Sequence, residues 1–291
     1  MTENICPLCK SAKNKLLLKK DYKNRIFSLL NCNNCYFVFL APRLTQEEND
    51  SLYDDDYFKG QGFDRTVNYV KEYESEFDPE YSRILDKINR YSKTGKLLDI
   101  GPGMGNLMDE AKKDNWDVYG LEVSEFAAKK LNDRFRGKVK RSSIKSGLFP
   151  DNYFDAVTMM EVIEHLTDPV ESLKVISGYL KKEGILLIQT GNIRSLKAFI
   201  KGKSWNYILI PGHINYYSFK TMKETLKLSG FKVKRIYPPN DIEGGRLYGW
   251  IDRILKNNNF IKRAVIGIYK IISGIKEYLI SDGMIVIAEK I

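Results

Sequence analysis

Cysteine is absent beyond position 35, histidine occurs only twice, and no uncharged apolar run approaches the roughly 18 residues that a membrane-spanning helix needs. These absences exclude a disulfide-stapled scaffold along the chain, a site built from many histidines, and a membrane span. The opening Met-Thr-Glu-Asn-Ile-Cys-Pro carries no apolar core of the kind a secretory signal needs, so a cytoplasmic protein is expected. What the chain does have is material for a core. It is 43% hydrophobic and 12% aromatic over 291 residues, enough for one doubly wound domain and about 90 residues of additions.

Residues 97–105 read Leu-Leu-Asp-Ile-Gly-Pro-Gly-Met-Gly. A short apolar run closed by Asp99 reads as a buried parallel strand, and Gly101, Gly103 and Gly105 allow positive φ and close approach of backbone to a ligand. Asn106 onward reads as a helix, whose free N–H groups face anything anionic above the turn. A nucleoside held there needs an acid at the end of the next strand, roughly 20 residues on, to accept hydrogen bonds from its ribose diol. Glu122 closes the run Val-Tyr-Gly-Leu-Glu-Val at 118–123 and meets that need. The third element, at 154–168, is Phe-Asp-Ala-Val-Thr-Met-Met-Glu-Val-Ile-Glu-His-Leu-Thr-Asp.

The G-x-G-x-G spacing, Glu122 and the Glu-Val-x-Glu-His stretch together resemble the small-molecule branch of the class I S-adenosylmethionine-dependent methyltransferases, closely over residues 94–190. The resemblance implies an α/β fold with a doubly wound, Rossmann-like sheet of seven strands, the last pair antiparallel. It also implies a cofactor set of Asp99, Gly101, Gly103, Gly105 and Glu122. Met160 and Glu161 would lie at the cofactor's amino-acid end, with Ser143 and Ile144 near the adenine. Relatives often carry aspartate at the position of Ser142 or Ser143, a departure that touches the adenine contacts.

All four cysteines stand as Cys6-x-x-Cys9 and Cys32-x-x-Cys35. Two such knuckles 22 residues apart present four thiolates to one tetrahedral zinc. Two disulfides suit a cytoplasmic chain poorly, and a redox pair needs no second copy. A ribbon this small lacks its own core, so the metal would supply much of its folding free energy. The arrangement resembles methyltransferases with an N-terminal zinc ribbon, many of them acting on sugars, surface glycans or secondary metabolites. The expected division is a ribbon at 1–45, a helical linker and cofactor lid at 46–93, and a methyltransferase domain at 94–291.

Within 64–93, Tyr69, Tyr73, Phe77, Tyr81, Ile84, Leu85 and Ile88 recur at helical spacing. Tyr57, Phe58, Tyr69 and Tyr73 are candidates to close over the cofactor or, alternatively, to pack as core. Asp168-Pro169 starts a helix that stops before Gly184; strands follow at 185–189, 231–237 and 284–289, with a helix at 218–229 between. Two insertions follow strands on the ligand side. The first, 191–217, mixes Arg194, Trp205, Tyr207, His213, Asn215, Tyr216 and Tyr217 and reads as an acceptor wall. The second, 241–283, opens with Glu243-Gly244-Gly245-Arg246 and continues as apolar helix with lysines. Its segment 247–280 suits a helical cap, peripheral contact with a membrane, or dimerisation.

Transfer from a sulfonium asks mainly for alignment and exclusion of water, with a base for an oxygen or carbon acceptor. His165, His213 and Glu161 are the candidates, with Glu164 as partner; each histidine has a packing role as its alternative. A small-molecule acceptor, a sugar or glycan precursor first, is the favoured reading. The alternative is an RNA methyltransferase using the ribbon and the net charge of +10. Against it, the lysines are spread evenly, no Asn-Pro-Pro-Tyr follows the fourth strand, and no Pro-Cys nucleophile occurs. A third reading, an idle fold kept for binding, would show a broken glycine turn or a lost ribose acid; neither is seen.

Overall fold

Each cysteine knuckle closes in the same way. The N–H of Lys10 donates to Cys6 O at 2.9 Å and that of Tyr36 to Cys32 O at 3.0 Å, with Lys10 and Tyr36 at φ +60 and +66. Between the knuckles, β1 (Asn14–Tyr22) and β2 (Arg25–Cys32) form an antiparallel hairpin. Lys23 and Asn24 both take positive φ in its two-residue turn, as the twist of a hairpin demands. β3 (Val38–Ala41) adds to β2. The structure is a computed structural model that describes residues 4–64, 67–74, 79–238 and 281–291. Phe77, the Glu243-Gly244-Gly245-Arg246 opening and the 247–280 segment lie outside the described residues.

The short helices α1 (Gln46–Asp50), α2 (Asp55–Phe58) and α3 (Tyr69–Glu74) lead to α4 (Pro79–Asn89). β4 (Lys96–Ile100), α5 (Asn106–Lys113), β5 (Asp117–Glu122), α6 (Glu125–Phe135), β6 (Val139–Arg141) and β7 (Phe154–Met160) follow. Then come α7 (Pro169–Tyr179), β8 (Leu180–Gly191), α8 (Leu196–Lys201), β9 (Asn215–Tyr216), α9 (Phe219–Leu228), β10 (Phe231–Tyr237) and β11 (Gly283–Lys290). The main sheet is seven-stranded in the order β10-β11-β8-β7-β4-β5-β6, Rossmann-like with helices on its faces. β11 alone runs against its neighbours, so the antiparallel feature is one strand inserted between β8 and β10.

Sequence signals act where expected. Asp168 Oδ1 accepts the N–H of Glu171 at 3.1 Å with Pro169 in the first turn, as an N-cap and N1 pair should. β8 begins at Leu180 rather than 185, because a bulge with Glu183 at φ +61 carries the chain directly out of α7. In α4, Ile84, Leu85 and Ile88 are buried against Leu97 and Leu107, each contributing about 2 kcal/mol of burial. That outweighs the weak helix preference of a β-branched pair and fixes the helix over the edge of the cleft.

A second sheet, β1-β2-β3-β9, takes its fourth strand from the 191–217 insertion: Val38 pairs with Tyr216 and Phe39 with Asn215. Its apolar side runs into the core of the main sheet, with Phe37 edge-on to Tyr217 at 5.2 Å. The N-terminal cysteine segment thus shares a core with the domain it precedes.

Candidate functional site

The cleft opens where the strands of a doubly wound sheet end. It is about 360 Å³, a usual size for a small-molecule site, and is bounded by the β4, β5 and β7 ends, by the 142–144 loop and by aromatic side chains from the segment before the sheet. Asp99, Gly101, Gly103, Glu122, Ser143, Ile144, Met160, Glu161 and His165 all line it. Tyr57, Phe58, Tyr69 and Tyr73 line it as well, with Tyr57 stacked on Phe63 at 5.2 Å and its hydroxyl 2.9 Å from that of Tyr69.

Gly101 takes φ +66, and a Cβ there would meet Val162 Cγ2 at 2.7 Å. Gly103 takes φ +57 and a Cβ would meet nothing within 4 Å, since that position faces open cleft. Its N–H donates to Glu122 Oε2 at 3.3 Å, while Ser124 N–H donates to Oε1 at 2.9 Å. Glu122 is therefore fixed by the turn it serves, and each oxygen keeps a lone pair for a diol. Gly105 is absent from the wall. It caps α5 and packs against Leu131, so its service is to the turn's shape.

Burial dominates the electrostatics. It pushes Asp99 and Glu122 each up to about 7, against the opposing hydrogen bonds from Thr158 to Asp99 and from Ser124 and Gly103 to Glu122. Glu161 is open to the cleft yet deep within the molecule, so it loses bulk solvation while staying accessible. Burial, then the charge of Glu164, raises it well above the carboxylate range. Glu161 also takes φ +53, a strained conformation for glutamate at the β7 end.

The histidines separate. His165 lines the cleft and its Nδ1 lies 2.9 Å from Gly212 O, which can only accept, so Nδ1 carries the hydrogen and Nε2 the lone pair. Burial lowers its pKa and favours the neutral ring. His213 is not in the wall. It packs edge-on behind His165 at 4.7 Å between ring centres, with Nδ1 2.8 Å from Tyr207 O, a position that orients the loop.

The 191–217 insertion also stands elsewhere than expected, since none of its residues lines the cleft. Trp205, Asn215, Tyr216 and Tyr217 are buried in the joint between the two sheets. The same mixture of aromatic and polar groups suits a cleft wall or a buried polar joint, and the β3–β9 pairing decides for the joint. Arg43, half-buried just after β3, clamps it: its guanidinium donates to Ile214 O, Asn215 Oδ1, Leu166 O and Thr167 O at 2.6–3.1 Å.

Several wall residues escaped the sequence reading, and two of them stand out: Asn49 Oδ1 and the Tyr53 hydroxyl, from α1 and the turn after it, are buried at the cleft with no hydrogen-bond partner among the described residues. The signal for Asn49 is the capping box Thr45 to Glu48, which opens the short helix that carries it; Tyr53 lies in the turn beyond that helix, where no sequence pattern marks it.

The four thiols meet as well. Cys6 Sγ lies 3.6 Å from Cys35 Sγ and Cys9 Sγ 3.5 Å from Cys32 Sγ, and all four sulfurs fall within 4.8 Å of one another. A tetrahedron with metal–sulfur bonds of about 2.3 Å has edges of about 3.8 Å, so the donor set fits a structural zinc.

A model described as a methyltransferase domain matches residues 69–236, more than half of the chain. The ubiquinone biosynthesis O-methyltransferase of Caulobacter vibrioides is 34% identical over 116 residues, 37% of this chain and 44% of that protein. An uncharacterized methyltransferase of Bacillus subtilis, YrrT, is 26% identical over 183 residues, 59% of this chain and 85% of that one. The chain thus spans less than half the length of the ubiquinone relative it matches. Among solved structures, a SAM dependent methyltransferase from Archaeoglobus fulgidus has a TM-score of 0.55 at 22% identity, covering 76% of this chain and 98% of that one. A possible histamine N-methyltransferase from Thermotoga maritima has a TM-score of 0.51 at 18% identity, over 81% and 100%. These two likenesses carry the fold.

Proposed function

The chain belongs to the methyltransferase-domain family, and from that membership we propose that it transfers a methyl group from S-adenosylmethionine to a hydroxyl of a small molecule. The observation that carries the reading is Glu122, buried at the β5 end and locked to Gly103 beneath an open cleft. Bound there, S-adenosylmethionine supplies a methyl already activated on a sulfonium.

The protein's part is placement and proton handling. Glu122 accepts the ribose hydroxyls; Ser143 and Ile144 flank the adenine; Asp99, the 101–103 backbone and Met160 complete the pocket. The tyrosines of the roof exclude water from the reacting centre. Glu161 and His165 Nε2 are the groups the cleft offers to take the acceptor's proton, and Asn49 and Tyr53 offer unsatisfied polar atoms to orient it. His213 supports the base region from behind. The cysteine set holds one structural zinc and keeps the small sheet, and through Arg43 the loop of His165, in place.

For the acceptor, the resemblance of the ribbon to sugar and glycan enzymes favours a sugar or glycan precursor. A phenolic ring is the second reading, favoured by the tyrosine-lined cleft and by relatives named for ubiquinone biosynthesis. Labelled S-adenosylmethionine offered with sugar nucleotides, catechols and total RNA tests the proposal. Label on the sugar is expected; label on the catechol alone selects the second reading, and label on RNA alone overturns both.

The carboxyl groups set a pH dependence. Asp99 and Glu122 are raised in the folded state, so they stabilise the ligand-free protein below about pH 4, and that contribution is lost as pH rises through about 7. Ligand binding runs the other way, because the ionised forms accept from the cofactor. The Kd for S-adenosylhomocysteine should rise about tenfold for each of the two carboxyls, about 100-fold together, from pH 8 to pH 6. A flat profile in calorimetry would remove these carboxylates from the cofactor site.

A further inference from the structure

Tyr207 stands at the centre of a hydrogen-bond count that does not close. Its hydroxyl oxygen lies 2.7 Å from Glu161 Oε2 and in close contact with Glu164 Oε1. Thr190 Oγ1 lies 2.9 Å from Glu164 Oε2 and 2.9 Å from the Tyr207 hydroxyl. A phenol has one hydrogen and a threonine one. With both carboxyls ionised, Thr190 donates to Glu164, and Tyr207 can donate to one glutamate only. The other would press a bare carboxylate oxygen against the phenol oxygen, with a second negative charge beside it. One further hydrogen on the pair serves all three contacts to the carboxyls: one carboxyl donates to the Tyr207 oxygen, Tyr207 donates to the other, and Thr190 donates to Glu164, while the Thr190 and Tyr207 oxygens lie side by side with no hydrogen between them.

We infer that Glu161 and Glu164 hold a single proton between them and that Tyr207 is the positioning residue that passes it. The inference rests on the methyl-transfer reading for its purpose, but the shared proton is a property of the ligand-free protein. Like charges this close do not both ionise, and the surroundings agree. His165 and His213 lie behind the pair, Tyr53, Tyr216 and Tyr217 act on Glu164, and Asp64 acts on His165. Burial holds the two histidines and the three tyrosines in their neutral forms.

The pair has two arrangements. With the proton on Glu161, the cleft faces an acid. A concerted shift moves that proton to the Tyr207 oxygen and Tyr207's own to Glu164, leaving a carboxylate on Glu161 toward the cleft. In transfer, the acceptor's O–H proton goes to Glu161, the oxygen's electron pair forms the new O–C bond, and the C–S pair stays on sulfur. The pair then carries two protons and returns one to solvent.

Infrared difference spectra of the whole protein above pH 8 test this, since Asp99 and Glu122 are then largely ionised and cancel between variants. Glu161→Gln and Glu164→Gln should each abolish the same one-proton carboxylic-acid carbonyl band. If neither does, the pair holds no proton; if only one does, the proton belongs to that residue and is not shared; both results overturn the inference. Tyr207→Phe, which deletes one oxygen, should shift that band and move the acidic limb of the kcat profile up by about one pH unit, with cofactor affinity unchanged. An unmoved band and limb would leave Tyr207 as packing alone. Absence of methyl transfer with the shared band intact would count against the function and spare the proton pair.

Discussion

Replacing Glu122 by glutamine is expected to weaken S-adenosylhomocysteine binding about 100-fold while the protein still folds. Glu122 is 4% exposed, and its two oxygens are tied to the N–H groups of Gly103 and Ser124. Glutamine keeps the shape and one oxygen, so one backbone hydrogen bond survives, but its NH₂ cannot accept from a hydroxyl. Losing charge-assisted acceptors toward a buried diol costs about 2–3 kcal/mol, the size of the predicted effect. The pH dependence of binding should flatten at the same time, because one of the two titrating carboxyls is gone. Titration calorimetry alongside a melting curve reads both quantities; unchanged affinity in a folded variant would remove Glu122 from the site.

The second large effect lies about the cysteines. Cys32→Ser should lower Tm by about 10 °C or more, and removal of metal with a strong chelator should do the same to the wild type. Structural zinc contributes about 10–16 kcal/mol to small zinc peptides, and a few kcal/mol of that reaching the shared core suffices for such a shift. It reaches the core because Cys32 is fully buried, Phe37 and Phe39 pack beyond it, and β3 carries β9 and Arg43. Since Arg43 holds the carbonyls of Leu166 and Thr167 next to His165, turnover should fall with the metal. Metal analysis well below one zinc per chain, with a melting curve indifferent to chelator, would contradict this account of the ribbon.

Features whose physics is local could be read from the sequence. Three glycines, an acid at the next strand end, a Ser or Asp before a helix and paired cysteine knuckles each act over a few residues, and all stand where their patterns indicate except Gly105, which shapes the turn without lining the cleft. Features created by contact between distant segments could not. β9 is two residues long and exists because β3 lies beside it. Arg43 reads as one basic residue among 47, yet it sits half-buried with four acceptors that only the fold assembles. For the same reason His213 was expected at the cleft and stands behind it, while Tyr207, read as an acceptor wall, joins two glutamates from the β7 end. The roof is intermediate: helical periodicity placed Tyr69 and Tyr73, the capping box marks the helix of Asn49, and Tyr53 lies in the turn after it, where no local pattern points to the cleft.

The central claim is that this cleft is built for S-adenosylmethionine, and direct titration of the purified full chain with S-adenosylhomocysteine at pH 8 tests it most directly. Saturable binding at one site per chain is expected, retained in RNA-free protein and weakened about 100-fold in the Glu122→Gln variant. No binding heat from a folded, metal-loaded protein would contradict it.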